Sequence, residues 1–195
     1  MAGECNLCLF AAFCFILKIL YLTMITNDML RITIIYTFLT ASLFSSSYYV
    51  STSGSNSNNG SENSPFATIQ IGIDAASDGD TVLVKNGIYN ENINFNGKNI
   101  QLYGENIDST IISGDGIDRV VSFLNGENQD ASIINFTIIN GLGGIVVSNS
   151  SPNLKNLIIK DNMASGHGGG INVFNSDVDI SNVVLQKTLV AAEVV

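Results

Sequence analysis

The feature that most narrows the folds open to this chain is a pair of elements that repeat in step. Ile133-Ile134-Asn135-Phe136-Thr137-Ile138, Leu154-Lys155-Asn156-Leu157-Ile158-Ile159 and Ile180-Ser181-Asn182-Val183-Val184-Leu185 share the pattern aliphatic-x-Asn-apolar-x-aliphatic, at offsets of 21 and 26 residues. Gly143-Gly144-Ile145-Val146-Val147 matches Gly169-Gly170-Ile171-Asn172-Val173, again 26 apart. Short strand-like runs at a period in the low twenties, with no helix between them, describe the coils of a parallel β-helix, an all-β solenoid. Like positions then stack at the strand spacing of about 4.8 Å. Ile133, Leu154 and Ile180 are predicted to form one inward aliphatic ladder, and Phe136, Leu157 and Val183 another. Asn135, Asn156 and Asn182 recur where the chain turns between faces. Asn tolerates left-handed torsions there, and its amide can bond to its copy one coil away.

The pattern extends upstream in weaker form. Strand-like runs at 81–84, 92–95, 99–103, 110–112 and 119–124 are separated by Asn, Gly and Asp turns, so residues 81–185 hold about five coils. Before them, Ser64-Pro65 reads as a helix N-cap and first helical residue, and Phe66, Ile69, Ile73 and Ala76 fall on one stripe. A helix over 65–77 is expected to cover the open apolar end of the first coil. Residues 48–80 form this cap, with a short strand at 48–51 and then a Ser/Asn/Gly loop. Residues 186–195 abandon the turn pattern and read as a non-repeat tail.

The first 47 residues are of another kind: 31 of them are apolar, and they hold all three cysteines, Cys5, Cys8 and Cys14. Residues 29–47 have the layout of an export signal, with Arg31, an apolar run and a small-residue exit at Ser45-Ser46-Ser47. Secretion or display at the cell surface is expected, with a mature start near Tyr48. Residues 1–28 read as an upstream extension that translation from Met29 or Met24 would omit. The alternative is a membrane anchor built from residues 7–44. The rest of the chain has no disulfide framework, thiolate metal site or cysteine nucleophile. It carries 6 Lys and Arg against 15 Asp and Glu, the whole of the net charge of −9, which argues against nucleic-acid partners.

The stretch YYVSTSGSNSNNGSENSPFATIQIGIDAASDGDTVLVKNGIYNENI, followed by the GGI and NLIIKDN elements, resembles the N-terminal cap and coils of secreted right-handed parallel β-helix proteins of the pectate lyase-like superfamily. The resemblance covers about residues 48–185 and implies right-handed winding, in line with the general rule for parallel crossovers. It implies no single activity, because that superfamily holds polysaccharide lyases, glycoside hydrolases, uronan epimerases, phage tailspikes and adhesins. The chain departs from the family in stopping after few coils, as an N-terminal portion would.

Candidate chemistry is sparse. Asp177 and Asp179 flank Val178, so both carboxylates point outward when Val178 points inward, about 7 Å apart along the strand. Such a pair could hold calcium or act as acid and base in glycoside cleavage, or be two solvated acids. They would sit over Ser151 and Asn153 of the preceding coil. Arg119 with Asp115 and Asp118, and Lys160 with Asp161, are the two places where a base and acids lie together, as a lyase would need. Neither has a motif behind it. His167, the only imidazole, lies in a Gly-rich loop and is the residue of choice for a proton shuttle or ligand. The glycines around it make no phosphate loop and read as turns. The loop at 54–61 offers a cation amides and hydroxyls in place of carboxylates. Asn59, Asn135 and Asn149 fit the glycosylation sequon, and Tyr48, Tyr49, Tyr89 and Tyr103 are assigned to packing. No metal or cofactor is assigned, with calcium the one ion kept open. The sequence therefore predicts a secreted or cell-surface β-helix domain that contacts polysaccharide or another surface polymer. The alternatives are a fragment of a polysaccharide lyase or related enzyme, and a structural adhesin or stalk. The oligomeric state is open.

Overall fold

In the computed structural model, which describes residues 45–164, 169–186 and 189–190, the chain winds as a right-handed parallel β-helix of six rungs. The first rung holds β1 (Ser47–Val50) and α1 (Ile69–Ala75), and the second holds β2 (Thr81–Val84), β3 (Gly87–Asn90) and β4 (Ile93–Asn94). The third holds β5 (Gln101–Gly104), β6 (Thr110–Ser113) and β7 (Val121–Phe123), and the fourth β8 (Ser132–Ile139) and β9 (Ile145–Ser148). The fifth holds β10 (Asn153–Lys160), β11 (Met163–Ala164) and β12 (Ile171–Phe174), and the sixth β13 (Asp179–Gln186) and β14 (Leu189–Val190). The main sheet runs in the order β1-β2-β5-β8-β10-β13, and a second sheet in the order β4-β7-β9-β12.

Alternation within each strand decides what faces inward. Val82, Leu102, Ile133 and Leu154 share one register and are fully buried. Phe136, Leu157 and Ile159 are buried on the next face, and the Phe95 and Phe123 rings pack 4.1 Å apart between centroids. The corners are set by asparagine. Asn135, Asn156 and Asn182 adopt φ of 65°, 50° and 52°, which bends each eight-residue strand in the middle. Asn156 Nδ2 donates to Asn135 Oδ1 at 3.0 Å, and Asn182 Nδ2 donates to Asn156 Oδ1. The predicted ladder is therefore present. It ends at the third rung because Gly104 lies beneath Asn135, where an added Cβ would stand 2.2 Å from the Asn135 carbonyl oxygen. A second corner repeats the device, with Asn149 and Asn175 at φ of 51° and 47° and Asn175 Nδ2 on Asn149 Oδ1 at 2.6 Å.

The helix is shorter than the 65–77 predicted. Ser64 and Phe66 are extended: Ser64 bridges Ser61, and Phe66 pairs in parallel with Val50. That segment saturates the outer edge of β1, so it joins the sheet and leaves the helix to start after Thr68. The stripe of Phe66, Ile69, Ile73 and Ala76 is buried as expected. Gly72 lets α1 approach Val50 and Val82, whose methyl groups would stand 2.9 Å from an added Cβ. A helix of seven residues does not hold itself together, and Thr68 gives it no side-chain cap. The next rung supplies both caps. Glu91 accepts the N–H groups of Ile69 and Gln70 at 2.8 and 2.9 Å, and Lys98 Nζ donates to the carbonyls of Ile73, Asp74 and Ala76 at 2.9, 2.6 and 2.7 Å. An anion at the N-terminus and a cation at the C-terminus both complement the helix dipole.

Two further boundaries differ from the sequence reading. The strand at 48–51 is already the first strand of the main sheet, because Tyr48 and Tyr49 pair with Val82 and Leu83. At the other end the repeat outlasts residue 185: Gln186 pairs with Lys160, and Leu189–Val190 pairs with Met163–Ala164. Backbone pairing carries the register through residues whose side chains no longer show the pattern.

Candidate functional site

The outward-facing positions of the main sheet form two rows along the solenoid axis. Gln101, Ser132, Asn153 and Asp179 share one register, and Tyr49, Leu83, Tyr103, Ile134, Lys155 and Ser181 share the other. Beside the first row stands the loop of residues 124–131, an insertion that lengthens the third rung. Glu127 anchors it and is buried to 1% exposure. Its carboxylate accepts the Gly97 N–H at 2.8 Å, the Asn125 N–H at 3.0 Å and the Ser150 hydroxyl at 2.7 Å, bonds that reach the rungs on either side. A relay of side chains then fixes the wall. Asp78 accepts the Asn99 N–H at 2.8 Å, Asn99 Oδ1 accepts the Asn128 N–H at 2.8 Å, and Asn128 Oδ1 accepts the Asp130 N–H at 2.7 Å. Asn153 Nδ2 closes the far side by donating to the Gln129 carbonyl.

Between this wall and the sheet lies a groove of about 490 Å³. Five side-chain amides line it (Asn99, Gln101, Asn128, Gln129 and Asn153), with Asp78, Asp130 and Lys155. Among the described residues, the side chains of Gln101, Gln129, Asp130 and Lys155 have no hydrogen-bond partner, so they are available to a ligand. The adjoining row supplies an apolar strip. Tyr49, Leu83 and Tyr103 line a shallower hollow with Lys85 and Glu105, which form an ion pair at 3.7 Å, and Tyr103 is 40% exposed. Tyr49 and Tyr103 thus face outward, two rungs apart. Of the tyrosines assigned to packing, Tyr48 stacks on Phe66 and Tyr89 is buried with its hydroxyl on the Lys85 carbonyl at 2.8 Å. Burial, with the Glu91 charge as a smaller cause, pushes the Tyr89 pKa up to about 12.

The residues singled out in the sequence are dispersed. Asp177 and Asp179 are exposed on the sixth rung over Ser151 and Asn153, with the Asp177 N–H on Ser151 Oγ at 3.3 Å. Asp179 continues the first outward row one rung beyond the groove. His167 lies outside the described residues, as do residues 1–44 with most of the export signal and the membrane-anchor alternative. Among the described residues no three His, Cys, Asp or Glu side chains converge on one point. The two base-and-acid clusters meet in part, since Asp115 and Asp161 line one hollow of about 340 Å³ with Asn140 and Met163. Asp115 is occupied locally: its carboxylate takes a hydrogen bond from Asn92 and the N–H groups of Ile117 and Asp118, which hold its pKa below the usual carboxylate range. Asp161, at φ 53°, is a corner residue. In the 54–61 loop, Asn56 Oδ1 is taken by the N–H groups of Ala67 and Thr68, and the hydroxyls of Ser55 and Ser57 bond each other. Asn135 and Asn149 both accept ladder bonds.

The sequence reading missed the groove. The available signal was the interval itself: from Gln101 to its register partner Ser132 the rung is longer than its neighbours, and part of the surplus, three residues relative to the fourth rung, falls between Phe123 and Ser132 in the amide-rich run Asn125-Gly126-Glu127-Asn128-Gln129-Asp130.

No protein-family profile matches the chain, and no curated protein matches it. Among solved structures it is similar to a pectin methylesterase point mutant in complex with a hexasaccharide. The sequence identity is 16% and the TM-score 0.45, over 73% of this chain and 54% of that one. The chain thus spans about half the length of that protein.

Proposed function

We propose that the solenoid contacts an uncharged linear polysaccharide along the outward face of its main sheet, with the groove beside Gln101 and Lys155 as the principal contact. The observation that carries this reading is the set of unbonded polar side chains, Gln101, Gln129, Asp130 and Lys155, in one open groove next to the exposed Tyr103. Sugar recognition combines such amide and hydroxyl-directed hydrogen bonds with stacking of ring faces on aromatic side chains. Two carboxylates against one amine line the groove, and the chain carries −9 overall, which disfavours acidic polymers. The stacking interval of about 4.8 Å between rungs is close to the rise of one sugar unit in an extended chain, so successive units meet successive rungs. Residues 29–44 act in this reading as the export signal, since Ser45, Ser46 and Ser47 already bond the solenoid.

Affinity electrophoresis against neutral and acidic polysaccharides, with wild type, Gln101→Ala and Tyr103→Ala, tests the proposal. Retardation by a neutral polymer, weakened at least about tenfold in both variants, is the expected result. Equal retardation of all three proteins, or none by any polymer, overturns it. A polysaccharide-cleaving reading draws on one observation, the unbonded Asp130 and Lys155 in the same groove. Release of reducing ends or of unsaturated product, lost in Lys155→Met, would favour it over simple binding.

A further inference from the structure

The row of outward residues beside the groove extends past it. Tyr49, Leu83, Tyr103, Ile134 and Lys155 occupy successive rungs in one register. Ile134 and Lys155 line the groove, whereas Tyr49, Leu83 and Tyr103 line the hollow of about 240 Å³ on the first three rungs. Groove and hollow are thus two stretches of one face. The hollow offers a ligand rings in place of amides. Tyr103 is 40% exposed, and among the described residues neither the Tyr49 nor the Tyr103 hydroxyl has a hydrogen-bond partner. The charges at its border cancel, because Lys85 and Glu105 pair with each other at 3.7 Å.

Aromatic residues stand on alternate rungs of this row, with the aliphatic Leu83 on the rung between them. Neighbouring rungs lie about 4.8 Å apart, so Tyr49 and Tyr103 are separated by about 9.6 Å along the solenoid axis. With one sugar unit to each rung, the two tyrosines meet the first and third of three consecutive units. A pyranose stacks on an aromatic side chain through one face of its ring, so both of these units must turn a ring face to the sheet. Units linked equatorially at both ends form an extended ribbon in which each unit is turned over relative to the last, and alternate units then present the same face. Chains that wind as open helices rotate each unit progressively away from a straight row. Their first and third units do not face one side together.

We infer that, within the polysaccharide reading above, on which this rests, the ligand is a neutral ribbon glycan of diequatorially linked pyranose units. Tyr49 and Tyr103 hold the first and third units of a three-unit subsite, and Leu83 lies against the unit between them. The chain continues over Ile134 into the groove, where the amides of the adjoining row meet its hydroxyl groups.

Titration of the full chain with cello-, xylo- and malto-oligosaccharides of increasing length tests this, since the first two series are ribbons and the third is helical. Affinity is expected to rise at least about tenfold from disaccharide to trisaccharide in a ribbon series, with no such step in the malto series. Tyr49→Leu, which keeps the strand covered but removes the ring, should abolish the step, and Tyr49→Phe, which keeps the ring, should retain it. A step of equal size in the malto series, no step in any series, or a step that survives Tyr49→Leu overturns the inference. In each of those cases, retardation by a neutral polymer that still depends on Gln101 leaves the groove reading standing. No binding of any neutral oligosaccharide or polymer overturns both.

Discussion

Replacing Asn156 tests the corner ladder on which the solenoid depends. The residue sits at φ 50°, donates to Asn135 Oδ1 at 3.0 Å and accepts from Asn182. Alanine loses both amide bonds, each contributing about 1 kcal/mol, and incurs about a further 1 kcal/mol for a left-handed backbone that a Cβ resists. The bond to Asn182 is exposed and worth less, so Asn156→Ala is expected to cost about 2–3 kcal/mol. Glycine removes the torsional cost, and Asn156→Gly should fall about 1 kcal/mol short of alanine. Aspartate keeps the acceptor toward Asn182 but turns an anion toward the Asn135 oxygen. Its folded pKa should therefore rise, so Asn156→Asp should gain stability as pH falls through that value, where a protonated carboxyl can donate again. Urea unfolding of the purified variants gives the totals. Amide exchange locates them, because a solenoid's stability is a sum of nearest-neighbour terms and the loss should concentrate in β8, β10 and β13. Alanine within about 0.5 kcal/mol of wild type would refute the ladder as a source of stability. Glycine as costly as alanine would refute the torsional part.

Three further outcomes are expected. Lys98→Met strips the cation from the three terminal carbonyls of α1 and should cost about 2 kcal/mol in urea unfolding, with exchange in α1 and β1 accelerated first. Glu91 has its pKa raised because burial outweighs the two N–H groups it accepts, so the folded state holds its proton more tightly than the unfolded chain. Stability from this group should fall as pH rises from the ordinary carboxylate value through the raised one, and a pH series of unfolding curves should lose that slope in Glu91→Gln. N-terminal sequencing of exported protein should find a start at or before Ser45, upstream of the Tyr48 expected from the signal pattern. Ser45 Oγ bonds the Gly79 carbonyl at 2.8 Å, Ser46 N–H bonds Asp80 at 2.7 Å and Ser47 pairs with Thr81. A start at Tyr48 would show these contacts to be dispensable.

What could be read from the chain alone follows from repetition. A residue pattern that returns once in each rung reports its own neighbour, so Asn135, Asn156 and Asn182 and the aliphatics around them could be placed over one another before any coordinates. The inward ladders, the left-handed corners and the placement of Asp177 and Asp179 over Ser151 and Asn153 all came out of that arithmetic. Elements without a repeat were legible only in outline. The helix stripe was visible, but not that Phe66 would pair with Val50 and shorten the helix, nor that Glu91 and Lys98 from the next rung would cap it. Sequence alone determined the solenoid, because its pattern is local and periodic. Only the tertiary structure decided the groove, because its residues are contributed by separate rungs, from Asp78 to Lys155, and share no motif. They meet because parallel stacking converts an interval of 20 or more residues into one strand spacing, and an inserted loop pinned by the buried Glu127 turns a flat sheet face into a walled channel.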